Sequence, residues 1–167
     1  MTTDILAIDR IAAGGGGVGR LSGGRGAFVP PTAPGGPGEK RVMQVAPRFV
    51  RGRLVRIVEP GPDRTEPGCA HYVADECGGC QLQHLPTEAQ RTARRAIVGD
   101  AIRRIGKLSA DDPPLVPAAS EWGYRAKISL TRRPDGAVGY HRYDRPGEVF
   151  PVRECPIAAP GVNRLLA

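Results

Sequence analysis

At 167 residues the chain is long enough for one domain of ordinary size or two small ones, and its formal net charge of +7 makes it strongly basic. Because no apolar run approaches the roughly 20 residues that cross a bilayer, the sequence argues against a membrane protein. The first residues, MTTDILAIDR, lack the basic and apolar regions of a signal peptide, which predicts a cytoplasmic protein with reduced thiols.

Short strands separated by glycine and proline are predicted over the first 60 residues. Alternation of apolar and polar residues is imperfect in DILAIDRI and more regular in FVRGRLVRIVEP, and the short apolar runs GAFVP and RVMQVA lie between them. The segment PPTAPGGPGEK (30–40) has the composition of a loop. Several short strands separated by glycine and proline are typical of a small β-barrel.

The glycine-rich segment GGGGVG (14–19) fits the G-x-G-x-x-G pattern of dinucleotide-binding proteins. That site also needs a helix directly after the glycines, so that its N-terminus faces the pyrophosphate. Here RLSGGRGAFVP follows, which predicts a second strand, and Arg20 stands where a P-loop requires lysine. We interpret the segment as a flexible β-turn with a permissive backbone. Because Arg20 and Arg25 flank it, such a turn could still approach RNA closely.

A helix is predicted from Thr87, which with Gln90 fits a capping box, to a stop at Gly106. Apolar residues recur along it at helical spacing, and five arginines cover much of the rest, which we interpret as a solvated face. After a proline-rich connector (107–120), YRAKISLT, the turn RPDG and AVGYHRYD predict a β-hairpin, and EVFPV predicts a third strand. The chain is therefore predicted to be mainly β with one or two helices, an α+β fold.

Four cysteines, Cys69, Cys77, Cys80 and Cys155, form the pattern C-x7-C-x2-C with a distant fourth member. A redox CxxC normally opens a helix after a strand, which CGGC does not do here. Zinc sites most often use two CxxC-like knuckles, and the chain has one. Four cysteines, a proline after the last and two glycines that free backbone amides match a [4Fe–4S] cluster. From spacing alone, a cluster, a zinc site and redox-active or unliganded thiols all remain open.

Several segments resemble one family of enzymes. PGCAHY, CGGCQLQHL, EAQRTARRAI, GYRAKISL, VGYHRYDRPGEVFPVRECPI and NRLL resemble the iron–sulfur branch of the RNA uracil-C5-methyltransferases, which acts on 23S ribosomal RNA. GGGGVGRLSGGRGAFVPPTAPGGPGEK resembles the N-terminal TRAM domain of that family, a small OB-like β-barrel that binds RNA. The resemblance implies that Cys69, Cys77, Cys80 and Cys155 are the ligands of a [4Fe–4S] cluster. The first gap, AHYVADE, is longer than is usual in the family.

The resemblance also implies a domain organisation: a TRAM-like barrel over residues 1–60, then an incomplete iron–sulfur and central β-hairpin region over 61–167. The family transfers a methyl group from S-adenosylmethionine to C5 of uridine, using a cysteine nucleophile in a C-terminal Rossmann-like domain. We expect that domain, and with it any catalytic residue, to be absent from this chain, since four cluster cysteines leave no nucleophile. S-adenosylmethionine would then bind only through the missing domain or a separate catalytic chain.

Two functions follow as hypotheses. The first is the RNA-binding, cluster-carrying part of a methyltransferase, inactive alone, with 23S rRNA as its expected partner. The second is a standalone RNA-binding iron–sulfur module without methyltransferase activity.

Arginine content supports an RNA partner in both cases: of 24 basic residues only Lys40, Lys107 and Lys127 are lysine, and the guanidinium group suits phosphate and bases. The candidate RNA contacts are Arg20, Arg25, Arg125, Lys127, Arg132 and Arg133, with Tyr140, His141 and Tyr143 as stacking residues. Alternatively, these arginines only solubilise the protein. His84 is predicted to be a packing or outer-sphere residue.

Overall fold

The computed structural model describes residues 3–21, 23–35, 37–45 and 49–166, and it is mainly β, with two sheets and few helices. The chain divides into two compact units. The first unit contains Met1–Glu66 and Gln81–Leu115, and the second contains Pro67–Cys80 and Val116–Ala167. Within the described ranges, no helix combines the length and the hydrophobicity needed to cross a membrane.

The first unit is built on a six-stranded sheet. Its strands are β1 (Thr3–Ala7), β2 (Arg10–Ile11), β3 (Gly17–Arg20), β4 (Gly26–Val29), β5 (Pro37–Val45) and β6 (Phe49–Ile57). They lie in the order β1-β5-β6-β4-β3-β2, with only the β4–β6 pair parallel. Among the described residues no ladder joins β1 to β2, so the sheet is not a closed barrel.

Alternating burial creates the core of this sheet. Side chains on one face of the strands are buried together, namely Leu6, Ile8, Ala27, Val29 and Val50. The predicted strands all form, with two differences in their bounds: DILAIDRI is interrupted between β1 and β2, and β5 begins at Pro37, inside the predicted loop. Leu6 and Ile8 remain on the buried face across that interruption because they keep the two-residue period of a strand.

The glycine-rich segment forms the turn between β2 and β3. The amide of Gly15 donates to the carbonyl of Ala12 (3.0 Å), and the amide of Ala12 donates to the carbonyl of Gly16 (2.8 Å). Gly14 and Gly15 have φ of +87° and +80°, a region that favours glycine. Strand β3 follows where a dinucleotide site would need a helix, so the prediction of a β-turn is confirmed.

Helix α2 (Thr87–Arg104) covers a second core in the same unit. Ala89, Ala93 and Ile97 pack on a cluster of buried side chains formed by Ile11, Ala33, Leu82 and Leu85. The predicted capping box is wrong, because the N-cap is Pro86 and the side-chain Nε2 of Gln90 donates to the carbonyl of Leu85 (2.9 Å). The apolar stripe also ends earlier than predicted, since Ile105 is 82% exposed.

Two arginines of α2 hold the segment that follows the helix. Arg95 donates to the carbonyl of Pro113 (2.9 Å), and Arg103 forms an ion pair with Asp112 (2.9 Å). Arg103 also donates to the carbonyl of Ala110 (3.0 Å). These side chains therefore fix the returning connector, which is a structural use that the sequence pattern did not indicate.

His84 is fully buried in the first unit, as its predicted packing role requires. Its Nε2–H donates to the carbonyl of Thr32 (3.1 Å), and burial lowers the pKa of the ring to about 4. The folded protein thus favours the neutral imidazole.

We expect the His84 ring to titrate near pH 4 in the folded protein, against 6.5 for an ordinary histidine. Because the folded pKa is the lower one, the linked stability is fully present above pH 6.5 and falls as the pH decreases towards 4. NMR of the imidazole nitrogens measures the pKa, and urea unfolding of the wild type and of His84→Gln at pH 7 and pH 5 measures the linkage. A ring that titrates at or above pH 6.5 would contradict the buried, neutral state.

The second unit contains a three-stranded antiparallel sheet and two short helices. Its elements are α1 (Ala70–Ala74), β7 (Thr131–Arg132), β8 (Val138–Arg142), β9 (Arg145–Pro151) and α3 (Pro160–Asn163), and the strand order is β7-β8-β9. The predicted hairpin and third strand are confirmed. Gly139 is required in β8, because a Cβ there would lie 1.8 Å from the carbonyl oxygen of Phe150 on β9.

The first strand of the hairpin is much shorter than predicted. Only Thr131 and Arg132 of the segment YRAKISLT and its flank pair with β8, and Arg125 makes an isolated parallel bridge to Ala158. In the described chain no ladder lies beside residues 126–130, and an extended segment without a neighbour has no inter-strand hydrogen bonds to make. Helix α1 was not predicted, because five residues are too few to show a helical period.

Candidate metal centre

All four cysteines belong to the second unit, and all are free thiols. Cys69 is the N-cap residue of α1 and is buried, Cys77 and Cys80 follow that helix, and Cys155 follows β9. Their charges act on one another: the pKa of Cys77 responds to Cys80, Cys69 and Cys155, and that of Cys69 responds to Cys80 and Cys155. Residues far apart in the sequence are thus gathered in one region.

Burial is the main influence on these thiols. Burial, the largest cause, and the repulsion of the neighbouring thiolates together raise the pKa of Cys77 to about 11. Burial likewise raises the pKa of Cys69. Four thiolates in this region therefore need a positive charge among them, and a bound metal supplies one and reverses the preference for the protonated form.

The loop that carries Cys77 and Cys80 is shaped by its two glycines. The amide of Gly79 donates to the sulfur of Cys77 (3.4 Å), as expected for an amide that faces a metal-bound thiolate. The amide of Gly78 instead donates to the carbonyl of His141 (3.1 Å) on β8. The backbone amide of Gly78 is therefore engaged by the sheet and not free to point at a cluster sulfur, whereas that of Gly79 faces a cysteine sulfur.

An arginine of β8 connects this loop to the sheet. Arg142 donates to the backbone carbonyl of Asp75 (2.6 Å) and lies over the ring of Phe150, 5.6 Å from its centroid. Beside it, the amide of Tyr143 donates to the carbonyl of Glu76 (2.6 Å), and Glu76 forms an ion pair with Arg145. Asp75 and Glu76, just before Cys77, thus form ion pairs with Arg142 and Arg145. The sequence shows these opposite charges but does not indicate that they pair.

Cys155 is held by Asn163 of α3. The side-chain oxygen of Asn163 accepts from the amide of Cys155 (2.9 Å), and its nitrogen donates to the carbonyls of Cys155 (3.0 Å) and Ala158 (3.3 Å). The hydroxyl of Tyr140 on β8 points at the sulfur of Cys155 from 3.9 Å. Neither residue was predicted to serve the cysteines, since spacing gives no sign of which side chains will surround them.

The side chains do not form a site for one ion. Within the described part of the chain, no three His, Cys, Asp or Glu side chains lie close enough together to hold a single metal.

The predicted RNA contacts are divided between the two units. Arg20 and Arg25 are exposed near the ends of β3 and β4 in the first unit. Arg125, Lys127 and Arg132 are exposed in the second unit, whereas Arg133 is half-buried there.

Some of these candidates interact within the protein, among them Arg20, which donates to the carbonyl of Gly24 (3.5 Å). Arg133 forms an ion pair with Asp135 (2.8 Å) and donates to the carbonyl of Val149 (3.2 Å), so it holds the hairpin turn. Burial raises the pKa of the Tyr140 hydroxyl, and Arg125 lies close enough to oppose that rise.

Of the predicted stacking residues, His141 is the exposed one, while Tyr140 and Tyr143 are half-buried. A further aromatic and basic surface was missed, on the outer side of β4 and β6. Phe28 is 36% exposed and contacts Phe49 edge to face with centroids 5.8 Å apart, and Phe28 is paired with the exposed Arg51. The alternation in FVRGRLVRI was the available signal.

Comparison with known proteins identifies relatives over nearly the whole chain. An uncharacterised RNA methyltransferase of Nostoc sp. is 40% identical over 167 residues, covering 97% of this chain and 35% of the relative. The 23S rRNA (uracil(1939)-C(5))-methyltransferase RlmD of Legionella pneumophila is 32% identical over 163 residues, covering 94% of this chain and 36% of the relative. No model of a protein family matches the sequence.

A solved structure shares the fold. The tRNA (uracil-54, C5)-methyltransferase of Pyrococcus abyssi, crystallised with S-adenosyl-L-homocysteine, superposes with a TM-score of 0.62 and 25% identity, covering 96% of this chain and 34% of that one. The chain therefore spans about a third of the length of the relatives that it matches.

Proposed function

Because the chain is homologous to the N-terminal portion of the RNA uracil-C5-methyltransferases, we propose that it is the RNA-binding, [4Fe–4S]-carrying part of such an enzyme. Its substrate RNA would be 23S rRNA, as the name of the Legionella relative states for that protein. The observation that carries the proposal is the gathering of all four cysteines in one unit.

Four cysteines with a single CxxC pair and a proline after the last one favour an iron–sulfur cluster over a zinc ion. Cys69, Cys77, Cys80 and Cys155 would each bind a different iron of a [4Fe–4S] cluster, so their sulfurs would stand further apart than the ligands of one ion. The thiols lie near enough to one another for their charges to interact, which supports a group that they share. The cluster would supply positive iron centres that stabilise the thiolates, and the amide of Gly79 would donate to one of them.

The first unit would provide an RNA-binding TRAM domain over residues 1–60. Its six-stranded sheet with Gly-rich turns is consistent with an OB-like barrel, although the ladder is open in the described residues. Arg20 and Arg25 on this unit, and Arg125, Lys127, Arg132 and Arg133 on the iron–sulfur and central region (61–167), would contact phosphates. RNA binding of this kind combines phosphate contacts with stacking on aromatic side chains.

The alternative is a standalone RNA-binding iron–sulfur module without methyltransferase activity. Both proposals give the same cluster and the same RNA contacts. They differ in whether a catalytic domain, in the same gene or a neighbouring one, completes the protein.

Anaerobic purification followed by analysis of iron, sulfide and zinc tests the proposal. We expect a brown protein with roughly four irons and four sulfides per chain. One zinc per chain with no sulfide would overturn the cluster.

We expect the 167-residue chain alone to bind no S-adenosylmethionine measurably and to methylate no RNA. All four cysteines are assigned to the cluster, so none is left to attack C6 of uridine. Equilibrium dialysis and transfer of a labelled methyl group to 23S rRNA fragments measure the two quantities. Methyl transfer that disappears on a point mutation in this chain would show that a catalytic group is present.

A further inference from the structure

The tyrosine beside Cys155 is placed to act on that thiolate. Tyr140 lies on β8, where it is paired with Phe150 of β9, and its hydroxyl points at the Cys155 sulfur from 3.9 Å. Each side chain that fixes this arrangement is itself held, so the direction of the hydroxyl follows from the packing.

The ring of Tyr140 packs against the ring of Phe150, which is 1% exposed, with centroids 6.5 Å apart. Phe150 is enclosed in turn by the ring of His71 and by the guanidinium of Arg142. These contacts hold the ring of Tyr140, which is half-buried, against the face of the sheet that carries Phe150.

The backbone of Cys155, the partner of the Tyr140 hydroxyl, is also held in place. Asn163 makes three hydrogen bonds around Cys155, one from the amide of Cys155 and two to the carbonyls of Cys155 and Ala158. Ala158 and Ile157 just beyond it are buried. The backbone of Cys155 is therefore anchored close to β8, where the sulfur lies 3.9 Å from the hydroxyl of Tyr140.

We propose that the hydroxyl of Tyr140 donates a hydrogen bond to the Cys155 thiolate and so raises the reduction potential of the cluster that this thiolate holds. A donor stabilises the more negative state of a cluster, which is the reduced one, and hydrogen bonds to sulfur are among the factors that set such potentials. Tyr140 is thus a positioning residue that acts through Cys155. This inference rests on the proposed iron–sulfur function.

The test compares the anaerobically reconstituted wild type with Tyr140→Phe and Tyr124→Phe. The first variant removes the hydroxyl beside Cys155, and the second removes the hydroxyl of a tyrosine that is 56% exposed in the same unit. Iron and sulfide are measured first. If the wild type holds none, the proposed function fails, whatever the role of Tyr140.

With the cluster present, we expect Tyr140→Phe to lower the midpoint potential, corresponding to about a tenfold change in the reduction equilibrium, or about 59 mV for one electron. The Fe–S(Cys) stretching bands in resonance Raman spectra should also shift. Tyr124→Phe should leave both unchanged. Equal potentials and equal spectra in the wild type and Tyr140→Phe would overturn the inference.

A variant that strengthens the donor covers the case in which Tyr140→Phe fails to hold a cluster. Site-specific replacement of Tyr140 by 3-fluorotyrosine keeps the ring and makes the hydroxyl a stronger donor, so the potential should rise. A potential that stays at the wild-type value, or falls, would show that the hydroxyl does not act on the thiolate.

Discussion

Replacing Cys77 or Cys80 by serine is expected to abolish the iron and sulfide content of the anaerobically purified protein almost completely. A serine hydroxyl is not deprotonated at neutral pH and is a poor ligand for a cluster, which is held by cysteine thiolates. Cys77 also receives the amide of Gly79 and lies on the loop fixed to β8 through Gly78, so its loss removes a ligand that the backbone has already positioned. Metal and sulfide analysis with the visible absorption spectrum measures the effect.

The matched control for these variants is Val73→Ser on α1. Val73 is 68% exposed, so the change introduces the same side chain close to the cysteine loop without removing a thiol. This control should keep roughly four irons per chain. If Cys77→Ser and Cys80→Ser keep the wild-type iron and sulfide, those cysteines are not ligands and another explanation of the CGGC loop is required.

The sequence indicated the elements of the fold wherever a local pattern persists for a full period. Helix α2 and the strands with clear alternation, such as β6, formed close to their expected bounds. The segment 124–131 shows the limit of that argument. Its residues alternate, yet strand formation needs a partner: Thr131 pairs with β8, and Arg125 makes only an isolated bridge to Ala158. Alternation of apolar and polar residues is a property of one segment, whereas a β-sheet forms only where a second segment pairs with it.

The cysteines were recognised from the sequence, but the side chains around them were not. Cysteine identity and spacing indicated a shared centre, since four thiols without a spare suggest one group. By contrast, the contacts of Arg142 with Asp75 and of Asn163 with Cys155 depend on how the hairpin and α3 return to the loop. Such contacts join residues that no periodic pattern relates, so only the structure shows them.

Replacing Arg125 and Lys127 together with alanine is expected to weaken the binding of an rRNA fragment by about 25-fold at 0.1 M salt. Each phosphate contact to a single strand contributes roughly 0.7 log units of affinity per log unit of salt, so two contacts contribute a slope of about 1.4. Relative to 1 M salt, 0.1 M is one log unit lower, so the lost affinity there is about 1.4 log units, or about 25-fold. Both residues are exposed, and the backbone at Arg125 is anchored by hydrogen bonds to Ile157 and Ala159, which keeps this surface in place. Fluorescence anisotropy over a range of salt concentrations measures the affinity and the slope.

The control removes the same two charges from the first unit, through Arg94→Ala with Lys107→Ala, both exposed there. It should change affinity and slope much less, because a general effect of net charge would act equally in both double variants, whereas direct contacts would not. Iron content should be unchanged in each. If the Arg125 and Lys127 variant binds with wild-type affinity and slope, this surface is not the RNA site, and Arg20 and Arg25 on the first unit become the residues to replace next.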